Sequence, residues 1–221
     1  MDNQVCAELS TRYGVEAVSY AVDLSNPEAL EQLVPVLQGL HIDFLVNNAG
    51  FGDTGLFHER PWQVQQEMIN LNILALSRLT HVCAQGMVQR GFGRILTIAS
   101  TGGFQPSPLF NVYAATKSYV LSFTEALQEE LRGTGVSATV SCPGPTETGF
   151  HARAGSHRSR IMSLGMMRSE QVAQQAFRAM MQGKTTVIHG WKNALMAFSI
   201  RFTPRFIAPK AAMYFMKPQH D

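Results

Sequence analysis

Tyr113 and Lys117 lie one helical turn apart in the run Tyr-Ala-Ala-Thr-Lys, so on a helix both side chains project from one face. A free phenol titrates near ~10, and an ammonium beside it, with a helix N-terminus nearby, stabilises the phenolate. That arrangement moves a tyrosine toward the range where it exchanges a proton with an alcohol or a carbonyl. Alone the pair is weak evidence, because a packed ring beside a solvated lysine has the same spacing. Ser100 stands thirteen residues earlier, where an apolar run ends and the turn Ser-Thr-Gly-Gly begins. There its hydroxyl either meets a substrate oxygen or satisfies its own turn. Val-Asn-Asn-Ala-Gly at 46–50 ends another apolar run in two amides and small residues, which let a flat ligand approach the backbone, or form merely a turn. Pro-Gly-Pro-Thr-Glu-Thr at 143–148 brings the hydroxyls of Thr146 and Thr148, which hold a carboxamide or cap the next segment.

These residues need a scaffold that gathers them. Residues 16–24, Glu-Ala-Val-Ser-Tyr-Ala-Val-Asp-Leu, read as a strand ending near Asp23; 44–48, 94–100, 136–144 and 185–190 read as further strands. Between them lie helical patterns. One follows Ser25 or Asn26 as N-cap with Pro27 at its first position; others run through 62–91, closed by Gly91, through 112–135, and as a capped helix through 169–183. The first residues, up to Gly14, read as the last turns of a helix. Strands alternating with helices call for a parallel sheet with helices on both faces and ligands at the carboxyl ends of the strands. Asp23, Asn47 to Gly50, Ser100, and Pro143 to Thr148 all fall just after strands.

With 221 residues, 45% hydrophobic and 15% charged, the chain has length and apolar content for one substantial core. Cys6, Cys83 and Cys142 form no Cys-x-x-Cys pair and no metal-ligand spacing with the seven histidines, so neither a metal site nor a disulfide framework is indicated. The start has no basic and apolar leader pattern, and nowhere do eighteen uncharged apolar residues run together. A cytoplasmic protein is expected, at most attached to a membrane surface, with no nucleic-acid partner. The charge is uneven: residues 1–148 hold 7 Lys and Arg against 14 Asp and Glu, and 149–221 hold 11 against 2. That basic third reads as the surface around a binding cleft, or as a match for an anionic substrate, a cofactor phosphate or a membrane.

In this order and spacing, Asp23 after a strand, Asn-Asn-Ala-Gly at 47–50, Asn72 within Ile-Asn-Leu-Asn-Ile-Leu-Ala, Ser100, Tyr-Ala-Ala-Thr-Lys and the Pro-Gly…Thr segment closely resemble the short-chain dehydrogenase/reductase family. The resemblance spans about residues 15–190. It implies an α/β fold, a Rossmann-like doubly wound parallel sheet flanked by helices, and hydride transfer between NAD or NADP and a carbonyl or secondary alcohol of a small molecule. It implies Tyr113 as the general acid in reduction and base in oxidation, Ser100 on the reacting oxygen, and Lys117 on the nicotinamide ribose and lowering the Tyr113 pKa. Asn72 would bend its helix and hold a water relaying protons to Lys117; Asn70 is its rival, and Leu71-Asn72 fits the family pattern at least as well. Asp23 would face the adenine. Asn48, Ala49 and Gly50 would line the cofactor cleft, with Pro143, Gly144, Thr146 and Thr148 orienting the nicotinamide amide. Family habit pairs helices like 62–91 and 111–135 between subunits, which makes a homo-oligomer the expectation. Ala99, beside Ser100, departs from a commoner serine.

A larger departure is at the front. The family begins with a strand, a glycine-rich turn of the Thr-Gly-x-x-x-Gly-x-Gly type and a helix that hold the cofactor pyrophosphate. No such turn precedes Asp23. The first strand-helix-strand unit is therefore expected to be missing, and the favoured reading is an N-terminally truncated enzyme; a cofactor-defective, non-catalytic subunit or interaction protein is the alternative, and association with another segment a third. Residues 1–190 read as this incomplete catalytic domain. Within it 149–169, with four arginines and three methionines, reads as a substrate lid or an ordinary loop. His151 and His157 are given no role, since the sequence pairs neither with a nucleophile. The tail, 191–221, mixes large apolar and basic side chains; it reads as a helix closing the substrate pocket or packing in an oligomer, or as a weak membrane-surface contact. Lipophilic substrates follow from this composition.

Overall fold

In the computed structural model, which describes residues 2–157 and 159–217, most of the apolar runs read as strands pair in parallel. β1 (Phe44–Asn47), β2 (Gly93–Ile98) and β3 (Val136–Cys142) lie side by side, with Leu45 opposite Ile95 and Ile95 opposite Ala138. β4 (Thr146–Glu147) and β5 (Met167–Arg168) form a small pair of their own, and β6 (Thr186–Ile188) completes the main sheet in the order β1-β2-β3-β6. Parallel neighbours require crossovers, and helices supply them. α1 (Asp2–Tyr13) and α2 (Pro27–Gln38) precede the sheet; α3 (Trp62–Ile69) and α4 (Leu76–Arg90) join β1 to β2; α5 (Asn111–Glu130) joins β2 to β3. The short α6 (Phe150–Arg153) and α7 (Ser169–Met181) lead to β6, and α8 (Trp191–Ser199) and α9 (Ala208–Met216) follow it.

The period-two alternation of the strands decides which helix covers which side. Ile95, Val136 and Ala138 pack under Cys83, Met87 and Leu131, while Ala99, Val140 and Cys142 pack under Leu76 and Val120, so α4 and α5 own one face. Leu96 points the other way, onto Ala176 and Met180 of α7. Along α5 the buried stripe is Tyr113, Lys117, Val120 and Thr124, spaced i, i+4, i+7, i+11. Burying a side chain like Val120 contributes about 1.5–3 kcal/mol, and that packing holds Tyr113 and Lys117 against the strand ends.

Local signals set the helix ends. Asn26, rather than Ser25, caps α2, accepting from the backbone N–H of Glu28 and Ala29, with Pro27 in the first turn. α4 stops at Gly91, whose φ of 72° suits glycine. α7 begins at Ser169 after Arg168 with no side-chain cap, contrary to the expected capped start. The larger correction concerns residues 16–24, expected as a strand, which run without regular structure and leave Val18 and Tyr20 exposed. A strand exists only by pairing with a neighbour, and among the described residues no strand pairs with this segment or with the outer edge of β1. The expected-missing strand-helix-strand unit is not among them.

Candidate active site

β2 delivers Ser100 to the carboxyl edge of the sheet. The Ser100 hydroxyl accepts from the Gly102 N–H (3.1 Å) and so starts a single 3-10 turn, Thr101–Phe104. That turn is fixed at both ends: the Thr101 N–H donates to the Pro143 carbonyl (2.9 Å), and the Ser118 hydroxyl of α5 donates to the Gly103 carbonyl (2.7 Å). Gly103 lies so close to α5 that a Cβ there would stand 2.8 Å from the Lys117 carbonyl oxygen, so no larger residue fits. The result brings the Ser100 hydroxyl near the buried Tyr113 phenol. The Tyr113 ring is held between Phe110, stacked at 4.3 Å, and Phe150, tilted at 5.3 Å.

Lys117 is buried; its Nζ donates to the Ile98 carbonyl (2.7 Å) and lies 5.7 Å from the centre of the Tyr113 ring. Behind them the helix 62–90 opens into a π-turn at Asn70–Ala75. The register shift frees Asn72, which accepts from the Phe51 N–H (3.2 Å) and donates to the Phe51 carbonyl and the Thr116 hydroxyl (both 3.0 Å). A Cβ on Gly50 would meet Asn72 Oδ1 at 2.9 Å and Lys117 Nζ at 3.5 Å, so these groups converge on one small space. Asn70 faces elsewhere, donating to the Ser25 carbonyl (3.0 Å), while Asn72 borders the space beside Lys117.

Burial reverses one expectation. Tyr113 is pushed up to about 12, chiefly because the phenolate would be stripped of water, with the Ser100 hydrogen bond opposing. Lys117 is pushed down to about 8, again by burial, which disfavours the ammonium. Burial thus keeps the proton on Tyr113 at neutral pH.

The three groups open onto a cavity of about 830 Å³. Of the predicted site residues, Asn48, Gly50, Ser100, Tyr113, Lys117, Pro143, Gly144, Thr146 and Thr148 line it; Ala49, Asn72 and Asp23 do not. Asn72 sits behind the wall. Asp23 is exposed, its carboxylate accepting from the Ser25 hydroxyl (2.7 Å) and N–H (2.9 Å), which lowers its pKa. The Thr148 hydroxyl accepts from the Phe150 N–H (3.2 Å) just before α6, and Thr146 donates to the Gly144 carbonyl (2.9 Å). Most of the remaining lining is apolar, with Phe110, Phe150, Ile161, Phe177, Phe215 and Met216 among it.

The structure also places residues that the sequence left without a role. His151 Nδ1 lies 3.0 Å from the hydroxyl of buried Ser156, and both line the cavity. The pairing depends on a turn through Gly155, φ 71°, which carries no periodic signal. Burial lowers the His151 pKa, keeping the ring neutral. Asn193 of α8 presses on Gly144 and donates to the His189 carbonyl (2.7 Å), backing the 143–148 segment from a distant part of the chain. Among the described residues no group of three or more His, Cys, Asp or Glu could hold a metal ion.

A sequence profile described as short chain dehydrogenase matches residues 2–159. The chain belongs to the short-chain dehydrogenase family. Human very-long-chain 3-oxoacyl-CoA reductase is 38% identical over 138 residues, 61% of this chain and 44% of that protein. Ketoacyl reductase HetN of Nostoc sp. is 38% identical over 133 residues, covering 59% and 46%. The chain thus spans less than half the length of these two short-chain dehydrogenase relatives. The rat very-long-chain 3-oxoacyl-CoA reductase is 31% identical over an alignment covering 97% of this chain and 68% of that protein. Among solved structures, a short-chain dehydrogenase from Sphingobium yanoikuyae in complex with NADPH superposes with a TM-score of 0.80 at 27% identity, covering 91% of this chain and 80% of the other. A 7beta-hydroxysteroid dehydrogenase shares the fold at a TM-score of 0.84 and 24% identity, covering 96% and 82%.

Proposed function

We propose that the chain carries the catalytic site of an oxidoreductase that interconverts a carbonyl and a secondary alcohol of a lipophilic small molecule, with NAD or NADP as cofactor. The observation that carries this reading is the convergence of Ser100, Tyr113 and Lys117 on the wall of one largely apolar cavity. The residues around Gly50 fit the nicotinamide end of such a cofactor: the space that a Cβ at Gly50 would fill lies between Asn72 and Lys117, and Asn48 and the 143–148 segment line the same cavity. Lys117 would hold the ribose, and the 143–148 segment the carboxamide. A nicotinamide held there would supply the hydride to the carbonyl carbon in reduction or take it from the alcohol carbon in oxidation.

The protein's own part is to hold the substrate oxygen and move one proton. Ser100 donates its hydroxyl hydrogen to that oxygen and orients it. Tyr113, protonated across the neutral range, delivers its proton to the same oxygen in reduction and recovers it in oxidation. The Lys117 ammonium stabilises the tyrosinate left behind, and Asn72 fixes the backbone at Phe51 and would hold the water that relays protons to Lys117. Asp23 is the adenine-side candidate. An intact site of this kind gives no support to a non-catalytic subunit.

Residues 1–190 are, on this reading, the catalytic domain with 149–169 as substrate lid, and the 191–221 tail closes the substrate side. The names of the relatives, very-long-chain 3-oxoacyl-CoA reductase and ketoacyl reductase, support a long acyl substrate bearing a carbonyl. Such a substrate fits a location in the cytoplasm or at a membrane surface. Exposed Val88 and Tyr119 on α4 and α5 support assembly of like subunits through those helices.

NADH and NADPH titration by fluorescence, followed by turnover of a long-chain 3-oxoacyl thioester, tests the reading. Tyr113→Phe is expected to lower turnover about 10²–10⁴-fold. Undiminished turnover in that variant removes Tyr113 from the proton-transfer role.

A further inference from the structure

The segment after β6 leaves large apolar side chains in water. α8 and the turn beyond it carry Trp191, Leu195, Phe198 and Phe202, spaced i, i+4, i+7 and i+11, which is one stripe of a helix. Trp191 and Phe202 are 73% and 74% exposed, and Phe206 just beyond is 70% exposed. Phe198 and Phe202 meet edge to face at 5.3 Å, so the stripe continues past the end of α8. The other side of α8 is packed: Ala197 is buried and Asn193 presses on Gly144. Apolar surface of this extent marks an interaction site.

Charge selects the partner. Lys192, Arg201 and Arg205 lie along the stripe, Lys210 and Lys217 continue the pattern on and after α9, and no Asp or Glu occurs from 171 to 220. Among the described residues none of these five cations forms an ion pair. A second copy of the chain brought face to face would set like charges against each other. An anionic bilayer instead offers phosphates to the cations and an interfacial layer that takes up aromatic rings. Among the described residues no helix is long and apolar enough to cross a membrane, so contact through this face lies along the surface.

We propose that α8, the turn after it and α9 form a docking face for anionic phospholipid bilayers, and that substrate reaches the cavity through it. Met196 of α8 and Ala212, Phe215 and Met216 of α9 line the cavity, so the helices that meet lipid on one side meet substrate on the other. The loading step rests on the oxidoreductase reading; the docking step does not.

The test uses the whole chain with phosphatidylcholine vesicles, with and without phosphatidylglycerol. Co-sedimentation is expected only with phosphatidylglycerol and is expected to be lost at high salt. Each of Lys192→Gln, Arg201→Gln and Arg205→Gln should weaken it about fivefold. The chain has two tryptophans, Trp62 and Trp191. In a Trp62→Phe protein, Trp191 fluorescence should shift blue on vesicles and be quenched by brominated lipid; in a Trp191→Phe protein, Trp62 should do neither. No co-sedimentation at low salt overturns the proposal, as does a response from Trp62 in place of Trp191. So does a change in oligomeric state of the glutamine variants in free solution with vesicle binding intact. A Tyr113→Phe protein should bind vesicles like the parent, so failure of turnover and failure of docking are read separately. For loading, the triple glutamine variant should raise KM for a vesicle-borne 3-oxoacyl thioester while turnover of a short, water-soluble ketone is kept; equal KM values overturn loading.

Discussion

Lys117 balances two opposed demands: its ammonium is held by the Ile98 carbonyl, yet the same burial that brings it under Tyr113 disfavours its charge and pulls its pKa down to about 8. Tyr113, at about 12, keeps its proton well above that. Below pH ~8 both groups are in the protonated form that reduction requires; above it Lys117 is the one that loses its proton. The rate constant kcat/KM for carbonyl reduction is therefore expected to be flat toward neutral pH and to fall as pH rises through about 8. A fall only near the ordinary lysine or tyrosine range would mean that Lys117 does not set the limb. At this scale the sequence was informative about proximity and misleading about balance. One helical turn fixes Tyr113 beside Lys117, but the depth of burial belongs to Phe110, Phe150 and the strand ends, which the spacing does not reveal. His151 and Ser156 went unpaired for a similar reason, since their contact is made by an irregular turn.

Where elements meet, single residues hold whole segments in place. Asn72 satisfies the Phe51 N–H and carbonyl and reaches Thr116, all inside the protein. Removing one partner of a buried polar group costs roughly 1–3 kcal/mol, so Asn72→Ala is expected to lower the unfolding free energy measured by urea titration by that much and to slow turnover. Asn70→Ala, which loses one half-buried bond to Ser25, should cost less than Asn72→Ala, and equal losses would contradict the assignment. Gly103→Ala drives a methyl into the backbone of α5 at Lys117. Overpacking of this kind costs about 1–3 kcal/mol, and here it also pushes Tyr113 from Ser100, so activity should fall more steeply than stability. The helices were legible because apolar period, caps and glycine stops agree; Asn26, Pro27 and Gly91 do what their types dictate. Residues 16–24 were misread because alternation reports that a segment suits a strand, whereas the partner that makes it one lies elsewhere.

Across the whole molecule the two faces of the sheet are unequally covered. α4 and α5 pack one face from β1 to β3, while among the described residues α7 covers the other over β2 and β3, with Ala176 and Met180 on Leu96. Phe44 and Val46 of β1 are left in water on that second face, with Val46 52% exposed and the outer edge of β1 unpaired among the described residues. A short apolar strand with open N–H and carbonyl groups pairs with whatever strand it meets. The chain is therefore expected to associate as concentration rises, to scatter light, and to enhance the fluorescence of a hydrophobic dye. Val46→Lys places a charge on that edge and should lower both signals. Because its parent side chain is already half in water, the substitution should leave the unfolding free energy within about 0.5 kcal/mol of its starting value. Association that persists unchanged in Val46→Lys, but falls when the cations of α8 and its following turn are neutralised, would move the sticky surface from the sheet edge to the tail.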